Sequence, residues 1–257
     1  MDARTYDRDE LKRTFIANRG YWSGFWEGLL ALHPEFFAAY LDFSSIPWKQ
    51  GPLPPKVKEF IYIAIDASTT HLYEPGLRIH IENALKYGAT KEEILEVLQL
   101  TSVLGMHTCT MGVPALIEEL KEAGQGGDLD ALLADPERQR LKEEFIRNRG
   151  YWSDFWDGLL ILDPAFFQTY LRFSSIPWKS GPLEPKVKEF IYIAIDAATT
   201  HLYEPGLRIH YRNALKHGAT KEELMEVLQL TSVLGMHTCT MGVPILIDEL
   251  RKAGQAV

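Results

Sequence analysis

Cysteine is nearly absent from this sequence, and several other features that mark particular protein classes are missing as well. The 257 residues include two cysteines, Cys109 and Cys239. So few thiols exclude a disulfide scaffold and favour two free thiols, with a single bridge between them as the alternative. The polar N-terminus has no apolar h-region of a signal peptide, and no run approaches the ~18 apolar residues of a membrane span. We therefore expect a cytoplasmic protein without a membrane partner.

Basic clusters are lacking too. The net charge is −8, and no run of lysine and arginine interrupts the chain. Nucleic-acid binders normally carry a basic face, so we expect no nucleic-acid partner. The composition, 46% hydrophobic and 24% charged, is that of an ordinary globular protein.

The chain does contain a tandem duplication. Residues 11–124 and 141–254 align without a gap at an offset of 130 residues, with 91 identities in 114 positions. Pro55–His80 differs from its counterpart at one position, and Glu96–Pro114 at none. This pattern predicts two domain-sized repeats, residues 1–125 and 139–257, joined by a linker at 126–138. A packed core or a shared active site could each impose such strict identity.

Each repeat is predicted to be all-α, because its apolar residues recur at helical spacing and no alternating pattern indicates a strand. Gly20 and Gly88 are expected to end helices, and Thr90 with Glu93 forms a capping box. Prolines predict a loop over Ser44–Pro55, and residues 106–112 (MHTCTMG) read as a turn. The predicted helices of the first repeat cover residues 8–18, 21–32, 34–43, 55–71, 74–87, 90–105 and 113–124.

Polar residues that could carry chemistry concentrate in the two nearly identical segments. Glu59, Tyr62 and Asp66 form one stripe of a helix that is otherwise apolar. His71 and Glu74 flank a turn between helices, where they could form an acid–base pair or act as helix caps. The candidates of the first repeat are Glu59, His71, Glu74, His80, His107 and Cys109; their counterparts in the second are Glu189, His201, Glu204, His210, His237 and Cys239.

Each candidate also has a plain structural interpretation. The Glu59 stripe could be the solvated face of its helix, His80 a hydrogen-bonded core residue, and Cys109 a small buried side chain. His71, Glu74 and His80, with His201, Glu204 and His210 in the second repeat, could instead bind zinc or ferrous iron. Cys109 and Cys239 could be redox thiols, because a helix N-terminus or a protonated histidine lowers a thiol pKa.

The stretch IHIENALKYGATKEEILEVLQLTSVLG and its partner IHYRNALKHGATKEELMEVLQLTSVLG resemble the carboxymuconolactone decarboxylase/AhpD-like family. The resemblance covers Lys56–Leu120 and Lys186–Leu250, and it implies an all-α subunit that forms trimers or hexamers. The AhpD-like peroxidases carry Glu-x11-Cys-x2-Cys-x3-His. With His80 aligned to that histidine, Tyr73 and Gly76 occupy the cysteine positions, and Glu59 matches the glutamate after a two-residue insertion. The resemblance therefore disfavours dithiol peroxidase chemistry.

The decarboxylase branch of the family lacks these cysteines, and it acts without a cofactor on a small carboxylated lactone. By this resemblance we expect a cofactor-independent lyase or isomerase acting on a small carboxylated or carbonyl metabolite. His80 and His71 would be acid–base groups, Glu59 or Glu74 would orient them, and His107 would bind substrate. The alternatives are a metal-dependent enzyme, a thiol peroxidase using Cys109 and a non-catalytic helical oligomer. The fused repeats resemble a covalent dimer, so we expect three chains to assemble into a homo-oligomer.

Overall fold

Helices form all the regular secondary structure of residues 6–256, the part of the chain that this computed structural model describes. The all-α prediction is therefore confirmed. The first repeat contains α1 (Arg8–Arg19), α2 (Phe25–Leu32), α3 (Pro34–Gln50), α4 (Pro55–Ala67), α5 (Glu74–Lys86), α6 (Lys91–Ser102), a 3₁₀ turn (Val103–Met106) and α7 (His107–Glu122). After α8 (Leu129–Leu133), the second contains α9 (Pro136–Arg149), α10 (Phe155–Leu162), α11 (Pro164–Ser180), α12 (Pro185–Ala197), α13 (Glu204–Lys216), α14 (Lys221–Ser232), a 3₁₀ turn (Val233–Met236) and α15 (His237–Lys252).

Local sequence signals set several helix ends as predicted. Gly20 and Gly88 have φ angles of 75° and 80°, a left-handed conformation that glycine adopts at little cost. The Thr90 hydroxyl accepts a hydrogen bond from the Glu93 N–H at 3.1 Å, and the Glu93 carboxylate accepts one from the Thr90 N–H at 2.8 Å. Both halves of the predicted capping box are therefore present.

Two segments predicted to be irregular are helical instead. Helix α3 continues through Pro47 to Gln50, and the Pro47 carbonyl accepts hydrogen bonds from the Lys58 ammonium at 2.5 Å and the Gly51 N–H at 3.1 Å. The turn predicted for residues 106–112 is the start of α7. Burial against the rest of the protein outweighs the local helix-breaking signals in α3. The predicted linker also differs, because it contains the short helix α8.

Helices α4 and α12 form the centre of the molecule and pack against each other. Every residue from Val57 to Asp66 and from Val187 to Asp196 is buried. The buried apolar residues of both repeats form one continuous cluster. The predicted boundaries at residues 125 and 139 thus separate two sequence repeats that share a core, and their independence as domains remains a prediction.

The last helix of each repeat packs on the other repeat. Helix α7 contacts α10, and α15 contacts α2. Gly28 and Gly158 permit this close approach. A Cβ at Gly28 would lie 2.7 Å from Ile247, and a Cβ at Gly158 would lie 2.8 Å from Ile117. The C-terminal helices are therefore exchanged between the two halves.

Two buried ion pairs also cross between the repeats. The Lys58 ammonium lies 2.5 Å from Glu226, and the Lys188 ammonium lies 2.7 Å from Glu96. The same glutamates accept hydrogen bonds from the backbone N–H groups of Leu53 and Leu183. These contacts supply partners for buried charges that would otherwise be costly.

Each 3₁₀ turn joins its flanking helices without a break. The resulting runs, Lys91–Glu122 and Lys221–Lys252, are long and apolar enough to cross a bilayer by length and composition alone. The expectation that no stretch of the sequence approaches a membrane span is therefore wrong by these two criteria. Core helices of soluble proteins can meet the same criterion; both runs contribute residues to the core, with 28% of the apolar window of each run buried. The expected absence of a membrane partner stays a prediction.

Candidate active site

The polar stripe of α4 is buried rather than solvated. Glu59 and Asp66 are 0% and 1% exposed, and Tyr62 between them is 2% exposed. The interpretation of this stripe as a solvent-facing surface is therefore wrong. A buried carboxylate needs hydrogen bonds or a changed protonation state, and the two carboxyl groups of α4 meet this requirement in different ways.

Glu59 is paired with His80 of α5. The Glu59 Oε2 and His80 Nδ1 atoms lie 2.6 Å apart, and the Tyr62 ring stacks on the imidazole at 4.4 Å. With the proton on Nδ1, donated to the carboxylate, the lone pair of Nε2 is available for acid–base chemistry. The second repeat reproduces the pair with Glu189 and His210, also 2.6 Å apart.

Asp66 has no hydrogen-bond partner for either carboxylate oxygen. Its Oδ2 atom lies 3.9 Å from His80 Nε2, too far for a direct hydrogen bond. Burial raises the pKa of Asp66 to about 7, the nearby His80 opposes this rise, and Glu59 adds to it. A proton can therefore reside on Asp66 near neutral pH, and Asp196 repeats the arrangement with a pKa of about 7.

Gly76 makes room for the Asp66 carboxyl group. A Cβ at this position would overlap Asp66 Oδ2 and would lie 2.8 Å from the Tyr73 ring. The preceding turn includes Leu72 at a φ of 51°, an uncommon conformation for a non-glycine residue.

The other repeat completes the site. His237, the first residue of α15, has its Nδ1 atom 3.7 Å from Asp66 Oδ1 and 2.7 Å from His71 Nε2. The Thr240 hydroxyl lies 2.6 Å from the Tyr73 hydroxyl. Burial, with smaller contributions from His71 and His80, lowers the pKa of His237 to about 3. This imidazole is therefore neutral at physiological pH.

The reciprocal site uses His107 of the first repeat. Its Nδ1 atom lies 2.7 Å from His201 Nε2 and 3.8 Å from Asp196 Oδ1. The expectation that His71, His80 and His107 converge within one repeat is therefore wrong for His107. Each site takes one histidine from the opposite half of the chain.

The predicted pairing of His71 with Glu74 is also wrong. Glu74 is exposed and forms an ion pair with Arg78 one turn further along α5, at 2.5 Å. Glu204 makes the same pair with Arg208. Neither glutamate lines the cavities described next, because the first turn of the helix directs it to solvent.

One small cavity adjoins the pair of His80 and Asp66, and a second adjoins the pair of His210 and Asp196. The two cavities measure ≈ 20 and ≈ 30 Å³, enough for one or two water molecules. A metabolite would therefore enter only after side chains move. Polar residues at the first cavity include Arg19, Tyr21, Tyr40, Tyr62, Tyr73, His80, His237 and Thr240.

Sequence reasoning missed Arg19, Tyr21 and their counterparts Arg149 and Tyr151. The motif N-R-G-Y-W-S that contains them is unchanged between repeats, although the preceding helix differs at five of its positions. The identity of this motif between the repeats could have indicated that Arg19 and Tyr21 belong to the site. Cys109 and Cys239, in contrast, are free, half-buried thiols that line neither cavity.

Two groups of side chains have the donor atoms of a metal site. Asp66, His71 and His237 form one group, and His107, Asp196 and His201 form the other, with donor atoms within 4.8 Å of one another. These sets replace the predicted trio of His71, Glu74 and His80. The two imidazole nitrogens are 2.7 Å apart, whereas two nitrogens on one tetrahedral zinc lie about 3.3 Å apart. The spacing is that of a hydrogen bond, so the donor set does not fit a metal as it stands.

Comparison with known proteins identifies the family to which this chain belongs. The sequence profile of the carboxymuconolactone decarboxylase family matches residues 34–110 and 164–236. A crystal structure from Burkholderia xenovorans, of a protein provisionally named a gamma-carboxymuconolactone decarboxylase subunit, is 48% identical in sequence. The match covers 96% of this chain and 98% of that one, with a TM-score of 0.92. No curated protein matches the sequence at a significant level. The chain therefore belongs to the carboxymuconolactone decarboxylase family, as a tandem member in which two family units are fused.

Proposed function

We propose that the protein is a cofactor-independent acid–base lyase that removes a carboxyl group from a small carboxylated lactone or related carbonyl compound. The observation that carries this proposal is the buried group of Glu59, His80 and Asp66. It combines an oriented imidazole with a carboxyl group whose pKa is raised to about 7 by burial. Pairs of titratable groups tuned in this way are typical of acid–base sites.

The chemistry follows from the positions of these groups. Decarboxylation breaks a carbon–carbon bond, releases CO₂ and leaves its electron pair on the remaining carbon, conjugated with the carbonyl. Asp66 does not line the cavity and His80 does, so a proton from Asp66 can reach that carbon through His80 Nε2, which lies 3.9 Å from Asp66 Oδ2. The Asp66 carboxylate then recovers a proton from solvent.

The tyrosines can stabilise the developing enolate. Burial raises the pKa of Tyr62 to about 12 and also raises the pKa of Tyr21, although Arg19 opposes both shifts. Both phenols therefore keep their protons at neutral pH and can donate hydrogen bonds. Donors fixed in position before the reaction are an effective source of transition-state stabilisation.

The direct experiment uses gamma-carboxymuconolactone, the compound in the name of the crystallographic relative, and measures CO₂ release by the purified protein. We expect turnover by the wild type and at least a 100-fold loss in the double variant H80A/H210A, because positioned acid–base groups typically contribute 10²–10⁴-fold. H33D is the matched control, since His33 is exposed and the second repeat has Asp163 there, with the same helix-capping bond. Full turnover by H80A/H210A with native helical content would contradict the proposal.

Independence from a metal needs its own measurement. We expect untagged protein to contain less than about 0.2 metal ions per site and to keep its activity after treatment with a chelator. Stoichiometric zinc or iron, lost together with activity on substitution of His71 and His201, would favour the metal-dependent alternative. Labelling of Cys109 and Cys239 with dimedone after peroxide would similarly favour thiol chemistry.

We also propose that three chains assemble into a cytoplasmic homo-oligomer. Large apolar side chains on the exchanged helices face solvent in the single chain, among them Met111, Leu116, Met241, Ile245 and Leu246. Exposed apolar surface of this kind is typical of subunit interfaces. Light scattering coupled to size-exclusion chromatography tests the proposal, and a mass of one chain at micromolar concentration would contradict it.

A further inference from the structure

The last residue of α1, Arg19, is a buried cation. Its side chain is 2% exposed, and Arg149 at the equivalent position is 6% exposed. The Arg19 guanidinium carbon lies 5.2 Å from the ring centres of both Trp48 and Tyr62. The aromatic rings can stabilise the cation from their faces. They do not accept in-plane hydrogen bonds from its N–H groups.

Two of the three guanidinium nitrogen atoms lack protein acceptors. The Nε and Nη1 atoms of Arg19 are buried without a hydrogen-bond partner, and the same two atoms of Arg149 are equally unpaired. Within residues 6–256, no carboxylate lies within ion-pair distance of either guanidinium, whereas the buried Lys58 and Lys188 each have a glutamate. An unpaired buried charge is costly. The fold therefore gives each buried lysine a glutamate and leaves both arginines without a carboxylate partner.

The open guanidinium shares a cavity with the proposed acid–base groups. Arg19 lines the first cavity together with His80 and His237, and Arg149 lines the second with His210 and His107. Tyr62 contacts both groups, because its ring stacks on His80 and lies beside the Arg19 guanidinium. A ligand held by Arg19 would therefore lie within reach of His80.

Guanidinium groups bind carboxylates through charge-assisted hydrogen bonds. A carboxylate held in this way is stabilised as an anion, which opposes its loss as CO₂. The group that reacts must therefore be a different carboxylate of the same molecule, placed near Asp66 and away from the arginine.

We infer that Arg19 and Arg149 are specificity residues, each of which binds a carboxylate that the substrate keeps through the reaction. This inference rests on the proposed function for the reaction itself. The binding step can be tested separately, because a molecule with only the retained carboxylate and a carbonyl group should still bind. Levulinate has these two groups, and its methyl ester differs by the absence of the charge.

The experiment measures binding of levulinate and of methyl levulinate by calorimetry and by tryptophan fluorescence, since Trp26 lines the cavity and Trp48 contacts Arg19. We expect the wild type to bind the acid at least tenfold more tightly than the ester. R19M/R149M should lose this preference, and R19K/R149K should keep part of it. The matched control is R13M/R147M, which removes exposed arginines from the same helices and should bind like the wild type.

Equal affinity of the wild type for acid and ester would overturn the inference, and so would a preserved preference in R19M/R149M. The wild-type comparison remains decisive even where an arginine variant fails to fold. H80A/H210A separates this inference from the proposed function, because it should lose CO₂ release and keep the preference for levulinate. Levulinate should also raise the melting temperature of the wild type and leave that of R19M/R149M unchanged.

Discussion

At the scale of single residues, the carboxyl group of Asp66 is notable because it is buried without a hydrogen-bond partner. Asp66 faces Glu59, His80 and His237, and none of them lies within hydrogen-bond distance of its carboxylate oxygens. Burial favours the protonated form of such a group. The site thus keeps a proton available at a pH where free aspartate has already lost it.

The first prediction follows from this protonation state. Because the folded-state pKa of Asp66 is raised from 3.8 to about 7, the contribution of Asp66 to stability is lost as pH rises from about 4 to about 7. D66N/D196N stays neutral, so its free energy of unfolding should exceed that of the wild type above pH 7, by up to the order of 4 kcal/mol per site. The difference should vanish near pH 4. Urea denaturation at pH 4, 6 and 8 measures it.

His237 changes the pH dependence of stability in the direction opposite to Asp66, and comparison of the variant with the wild type removes this contribution. The pKa of His237 is lowered to about 3, so its contribution to stability is lost as pH falls from about 6.5 to 3. This contribution is present in both proteins and cancels in the difference. A pH-independent difference in stability would contradict the assignment of a raised pKa to Asp66. D66N/D196N should also release no CO₂ from the lactone.

The second prediction concerns Gly76. G76A places a methyl group against Asp66 Oδ2 and the Tyr73 ring, and overpacking of this kind typically costs about 1–3 kcal/mol. The control is G112A, since the equivalent Cβ at Gly112 in α7 meets no atom within 4 Å and alanine is the better helix former by about 1 kcal/mol. We expect lower stability and slower turnover for G76A/G206A, and unchanged or higher stability for G112A. Equal melting temperatures would show that the site tolerates the methyl group.

At the scale of secondary-structure elements, the exchange of α7 and α15 decides which residues share a site. His80 belongs with His237, 157 positions away in the chain, and His107 belongs with His210. Each 3₁₀ turn continues directly into the exchanged helix and therefore fixes its direction. The two active sites are consequently built by both halves of the molecule.

The third prediction tests this exchange with pairs of substitutions. H80A/H237A removes two residues from one site and leaves the other complete, so about half of the activity should remain. H80A/H107A damages both sites, and its activity should fall close to zero. If each repeat contained a whole site, the two results would be reversed. Initial rates at saturating substrate, with circular dichroism as the folding control, distinguish the two arrangements.

At the scale of the whole molecule, the chain is a fused pair whose halves interlock about a pseudo-twofold axis. Lys58 pairs with Glu226 and Lys188 pairs with Glu96, and these are equivalent contacts at the repeat offset of 130 residues. An interface of this kind is self-complementary. Each repeat supplies one lysine and one glutamate to these ion pairs. Each of the two residues pairs with its partner in the other repeat.

The fourth prediction is that residues 1–125 alone form a homodimer with the same two sites. Lys58 of one copy would pair with Glu96 of the other, as Lys58 pairs with Glu226 in the fused chain. Size-exclusion chromatography with light scattering should give the mass of two repeats, or a multiple of it. E96A in this fragment should prevent dimerisation, because it leaves a lysine buried without its partner, a change that typically costs about 3–5 kcal/mol. A folded, active monomer would contradict the interlocked arrangement.

Much of the fold was predictable because it depends on local signals. The left-handed glycines at 20 and 88 and the capping box at Thr90 specify helix ends within a few residues of themselves. The segment Ser44–Gln50 was mispredicted for the same reason. Pro47 is a helix breaker locally, yet buried contacts and the hydrogen bond to Lys58 hold the helix through it.

The sequence by itself determined the helices, the duplication and the polar residues with chemical potential, because propensity, periodicity and identity between copies are properties of the chain. Only the tertiary structure decided how those residues combine. It turned Glu74 to solvent, placed Asp66 against His80, left Arg19 unpaired beside them and brought His237 from the other repeat. The physical reason is that these contacts join residues up to 171 positions apart (Asp66 and His237), and no local pattern records which helix packs against which.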